Sequence, residues 1–278
     1  MSIMALLLDP LSHGFMQRGI IAALLVALVA AVLSCFLVLR GWSLMGDAIS
    51  HAVLPGIVIA YLVKLPLSLG AFAAGLLCAW GTGALRARSR VRDDAIMAIV
   101  FSGMFAVGLA LFLKVDTDQH LRHILFGNLL GLDWWNVAEV ALIAIPTAVI
   151  VFVKRRDFLL ASFDPAHARA IGMRVGLLDA LLLGLLALAI VAAVQAVGVV
   201  LVIAMLIAPG AIGFLLAKQF DRMLLIACIS ALSASIIGLF VSFYLDAASG
   251  PSIVVVQSLG VILAVLWRQR KEKSGAAL

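Results

Sequence analysis

The chain has 278 residues, of which 65% are hydrophobic and 12% charged. A soluble domain carries about 45–50% apolar and about 25% charged residues, so the composition excludes a soluble fold and predicts an all-α, polytopic membrane bundle. The net charge of +6 does not imply nucleic acid, because Lys and Arg gather at the ends of apolar runs, as they do in cytoplasmic loops, and neither 86–92 nor 267–273 interleaves them with aromatics.

Residues 1–14 lack a basic leader, and the apolar run that follows is too long for a cleavable signal, so the first span is expected to be retained. Runs able to cross about 30 Å of hydrocarbon lie at 15–39, 42–63, 65–85, 94–114, 134–153, 177–194, 196–217, 223–246 and 252–267. The predicted bundle therefore has about 8–9 spans. Polar stretches such as 115–123 and 154–174 are too short for a separate core, which leaves one membrane domain over 1–278. The basic clusters at 86–92, 154–174, 218–222 and 268–273 are separated by even numbers of spans, so all can face the cytoplasm together. That puts the C-terminus inside, and the loop 115–133 and the N-terminus outside. Cys35, Cys78 and Cys228 fall in separate spans without a CxxC pair, and read as small core residues.

The second run, GWSLMGDAISHAVLPG at 41–56, holds only two ionisable residues, Asp47 and His51. A carboxylate among lipid tails costs about 2.5–3.5 kcal/mol on insertion scales, and such residues default to a functional role. Spacing of i, i+4 sets both on one helix face, where a carboxylate oxygen and an imidazole nitrogen can share a divalent cation. A His–Asp hydrogen bond that locks two helices together is the other reading. Pro55-Gly56 is expected to interrupt the same span, as backbone lining a cavity permits.

In the outer loop, His120 and His123 are expected to be solvated rather than ligands, while Trp134 and Trp135 suit a headgroup boundary. The inside loop 154–176 carries helix punctuation. Asp164 suits an N-cap, Pro165 the first helical position, and Gly172 the position past the end. A capped helix at 165–171, too short to span and without a strong apolar face, suits docking to another protein better than lying on lipid. Further along, Pro209-Gly210 should bend the span 196–217, either as a static kink or as a moving hinge.

Four motifs in order, GWSLMGDAISHAVLPG, LFGNLLGLD, FDPAHARAIGM and VGVVLVIAMLIAPGA, resemble the membrane permease of the manganese/zinc/iron ABC importers, over nearly the whole chain. The resemblance implies a dimer with an identical copy or a close sibling, an extracytoplasmic metal-binding protein that delivers the ion, and a cytoplasmic pair of ABC ATPase subunits. It implies a bacterial inner (cytoplasmic) membrane location. It places the metal-coordinating pair on Asp47 and His51, with a transported Mn2+, Fe2+ or Zn2+ and no permanently bound cofactor. It places the ATPase-coupling segment on Phe163, Asp164, Pro165, Ala166, His167, Ala168, Arg169, Ala170, Ile171, Gly172 and Met173. The wording DAISHAVLPGIV is closer to the manganese/iron members than to the zinc members. The sequence has no GxxxxGK[ST] phosphate loop, so it is not expected to be an enzyme, and ATP hydrolysis falls to a partner. A proton-coupled carrier using Asp47 and His51 is the alternative, although such carriers usually show internal repeats and no second copy of the Asp-x-x-x-His segment occurs. An intramembrane metalloprotease would want HExxH, which is also absent.

Overall fold

This computed structural model describes residues 9–113 and 129–275. Among the described residues nine long helices follow one another: α1 (Gly14–Arg40), α2 (Ser43–Val63), α3 (Leu67–Arg88), α4 (Asp93–Phe112), α5 (Trp134–Val153), then α8 (Val175–Val197), α9 (Val199–Leu216), α10 (Phe220–Leu245) and α11 (Ser249–Gly275). Two short helices, α6 (Arg155–Phe163) and α7 (Pro165–Ala170), fill the connection between α5 and α8. No strand occurs among the described residues. Eight helices are long and apolar enough to cross a membrane, and α9 carries the shorter apolar stretch Leu201–Leu216. At 1.5 Å per residue, the 18 residues of α9 still reach about 27 Å, close to a hydrocarbon core. The last run is longer than expected. It continues through Trp267 into the basic tail as one helix to Gly275.

The helix ends follow local chemistry. α1 stops at Gly41, whose φ of +67 places it in the left-handed region while its N–H reaches back to the carbonyls of Leu37 and Val38. At Gly198 a φ of +80 separates α8 from α9 with no loop between them. α1 and α8 are buried for most of their length, whereas α4 and α11 present apolar residues outward, as spans facing lipid or a partner do. α1 packs on α5, α9 and α10, α2 packs on α3 and α4, and α8 joins the two groups.

Pro55-Gly56 does not interrupt α2, which is helical from Ser43 to Val63. Tight packing explains this. A Cβ on Gly56 would overlap the carbonyl of Gly70 on α3, and one on Gly70 would overlap that of Gly56. A Cβ on Gly108 of α4 would lie 2.7 Å from the Pro55 nitrogen. Neighbours pressed against both sides hold the helix through the residue that lacks a donor.

Two ion pairs fix which ends lie together. Arg18, near the start of α1, is 3.5 Å from Asp133 at the head of α5. Arg40, at the other end of α1, is 2.7 Å from Asp179 on α8, beside the α6–α7 connection. The chain therefore places the start of α1 opposite the side that carries α6, α7 and the basic loops.

Candidate metal site and coupling segment

On α2, Asp47 and His51 do come together. His51 Nε2 lies 3.2 Å from Asp47 Oδ1, and the side chains are 36% and 31% exposed, His51 the more so. The opposite face of the helix is closed. Ala48, Ile49 and Ala52 are fully buried, and Gly75 of α3 packs on Ile49. The Ser50 hydroxyl donates to the Gly46 carbonyl at 2.7 Å, so that face has no spare polar group. The exposed side is bordered by α4, where the His51 ring meets Phe105 edge-on at 5.4 Å and Phe101 at 6.1 Å. The imidazole is thus held by an acid on one side and aromatic rings on the other, with one face open.

A carboxylate and an imidazole suit a borderline divalent ion. Among the described residues, no group of three or more His, Cys, Asp or Glu able to hold a metal occurs. His120 and His123 lie outside the described residues. Cys35 and Cys78 are buried and Cys228 is half-buried, in three different helices, and none is disulfide-bonded.

The connection between α5 and α8 holds the short helix at Pro165–Ala170, one residue shorter than predicted. Asp164 caps it through its carboxylate, which accepts from the His167 N–H at 2.8 Å. Gly172 takes a φ of +86 and follows the end of the helix. Ala168 is buried and anchors one side, while Phe163, His167, Arg169 and Ile171 stand exposed. Sequence reasoning missed α6, the helix before it. Phe158 and Ala161, three apart and both buried, are the signal that could have found it.

Pro209 lies inside a helix that runs unbroken from Val199 to Leu216. Gly210 is there for closeness, since a Cβ would come 2.5 Å from the Ser34 carbonyl oxygen on α1. Packing therefore accounts for the glycine whether or not the proline turn moves.

Residues 12–268 match the model of the ABC 3 transport family. The chain belongs to that family. Over 267 residues it is 53% identical to the chelated iron transport system membrane protein YfeD of Yersinia pestis, covering 96% of this chain and 90% of the relative. Over 260 residues it is 42% identical to the manganese transport system membrane protein MntB of Synechocystis, covering 94% and 85%. Among solved structures it superposes on PsaBC from Streptococcus pneumoniae, determined in complex with a Fab, with a TM-score of 0.84 and 34% identity over 94% of this chain and 95% of the other. Membership in an ABC family removes the reason to invoke a proton-coupled carrier.

Proposed function

We infer that this chain is the permease subunit of an ATP-driven importer of divalent transition-metal ions, with manganese or iron as cargo, in the bacterial inner membrane. The single observation that carries the pathway is the Asp47–His51 pair. Two metal-ligating side chains are 3.2 Å apart on one open face of a membrane helix whose other face is sealed. The names of the similar YfeD and MntB proteins, one concerned with chelated iron and one with manganese, support the choice of metals.

With two ligands per copy, the ion is held between two permease copies, identical or close siblings, whose open α2 faces meet. With no phosphate loop in its sequence, the chain draws on a cytoplasmic pair of ABC ATPases, which docks on Phe163–Met173. An extracytoplasmic metal-binding protein delivers the ion on the opposite side, where Trp134 and Trp135 lie. Uptake of labelled manganese by vesicles holding the permease with its ATPase tests the pathway. Asp47→Ala and His51→Ala should each abolish it while the assembly still forms. Normal uptake by both variants would remove the pair from the pathway.

A further inference from the structure

The guanidinium of Arg40 touches both α6, the helix that leads into the coupling segment, and Trp42, the residue before the helix that carries Asp47 and His51. Its side chain is 7% exposed, yet it is the last residue of α1, with Gly41 bending the chain away immediately after it. Nη1 donates to Asp179 Oδ1 on α8 at 2.7 Å, and Nε donates to the Ser162 hydroxyl at 2.7 Å. Ser162 sits in the last turn of α6, two residues before the Asp164 cap, and its hydroxyl donates onward to the Phe158 carbonyl. The guanidinium carbon lies 4.7 Å over the ring of Trp42, the residue that precedes the first turn of α2. One cation thus joins the α1–α2 corner to α6 and α8, whose contacting residues are 122 and 139 positions away.

The surroundings make this a link rather than ordinary packing. Arg40, Trp42, Ser162 and Asp179 line a cavity of about 850 Å³, together with Met45 and Pro165. Met45 precedes Asp47 by two positions, about 200° around the helix, so the cavity lies behind α2, away from the metal pair. Where apolar side chains fill the space between helices, rigidity comes from contact over a broad area. Here the arginine makes polar connections beside the cavity, from α1 to both α6 and α8. A planar guanidinium with several fixed donors can hold two partners and stack on a ring at the same time, which an ammonium cannot.

We propose that Arg40 is a positioning residue that passes movement of the α6–α7 segment to the start of α2, and so ties ATPase closure to the geometry of the Asp47–His51 pair. The proposal rests on the coupling role given above to Phe163–Met173. When the ATPases draw that segment inward, Ser162 pulls on Nε, and the stacked Trp42 carries the shift into the first turn of α2, one turn before Asp47.

The test uses the permease reconstituted in vesicles with its ATPase, measuring manganese moved per ATP hydrolysed. Arg40→Gln should lower that ratio about tenfold, within the range of ordinary coupling effects. The KM for manganese should change little and kcat for uptake should carry the loss. Arg40→Lys, which can satisfy Asp179 or Ser162 but not both, should recover part of the ratio. Ser162→Ala removes one bond, Asp179→Asn removes the charge opposite the guanidinium, and both leave the arginine in place, so they decide the matter if Arg40→Gln fails to assemble. A wild-type ratio in Ser162→Ala and Asp179→Asn together with Arg40→Gln, or in the first two alone if Arg40→Gln does not assemble, overturns the inference. So does a loss confined to KM. A cysteine at Ala166 cross-linked to the ATPase in the same samples separates the two proposals. If the cross-link forms but the ratio is normal, only the role of Arg40 fails. If no cross-link forms, the coupling segment itself is misplaced.

Discussion

At the scale of single residues, the metal pair and the glycines make opposite demands on substitution. Asp47 and His51 are partly exposed and their contacts are few, so replacing them should leave folding intact and remove ligands. Loss of an outer-shell partner alone costs a metal site about 10–100-fold in affinity, and loss of Asp47 or His51 should cost at least that in manganese binding by the purified assembly. Phe105→Leu keeps an apolar border but removes the ring edge against His51, and should weaken binding far less than His51→Ala. Gly56→Ala presents the reverse case. Its new Cβ meets the Gly70 backbone, which cannot move aside as a side chain can, and overpacking of this kind costs about 1–3 kcal/mol. Gly103→Ala, on α4 where nothing lies within 4 Å of a Cβ, is the control. Thermal unfolding in detergent should drop clearly for Gly56→Ala and hardly at all for Gly103→Ala. Equal shifts would mean that the α2–α3 contact is looser than its geometry. Asp47 and His51 were legible in the sequence because an ionisable pair stands out in an apolar run. Their aromatic border was not, since Phe101 and Phe105 look like any other apolar residues of α4.

At the scale of elements, punctuation residues were read well and packing was not. Asp164, Pro165 and Gly172 announce a short helix by rules that act within a few residues, and the helix is there. α6 was missed because its composition is mixed and its helical state comes from burying Phe158 and Ala161 against the bundle. Continuity of α2 through Pro55 was missed for a similar reason, because Gly70 and Gly108, which hold it, lie on other helices. The cap makes its own prediction. Asp164→Ala removes an acceptor for the His167 N–H and should cost the segment about 1 kcal/mol, and Gly172→Ala forces a Cβ into a left-handed turn at about 1–2 kcal/mol. Both should reduce ATPase association in a pull-down while leaving manganese binding unchanged. The Pro209 turn of α9 needs a narrower test than a double substitution, since Gly210→Ala would collide with Ser34 for reasons of packing alone. Pro209→Ala by itself restores the missing donor to the helix. A moving turn predicts normal assembly and metal binding with less manganese moved per ATP, and an unchanged ratio makes the bend architecture.

At the scale of the whole molecule, the number of spans could be read from the length of the apolar runs, because hydrocarbon thickness acts on every membrane chain alike. The arrangement of spans could not, and the link from Arg40 to Ser162 and Asp179 shows why. Arg40 is an unremarkable helix-ending cation in the sequence, and its partners are 122 and 139 positions away. The open face of α2, proposed above to hold the ion, offers one carboxylate and one imidazole, and no third ligand-bearing side chain joins them among the described residues. Two such faces brought together would offer two oxygens and two nitrogens, a set suited to a borderline ion. The assembly should therefore bind one pathway metal per two permease copies. Metal content against protein, measured on the purified permease pair after removal of loosely held ions, should give a ratio near one half. In a pair formed by mixing wild-type and Asp47→Ala/His51→Ala copies, mixed pairs should lose most of their affinity rather than half of their sites. One ion bound per copy, with affinity unchanged in the mixed pairs, would show that each chain completes its own site, and the shared pathway between copies would have to be abandoned.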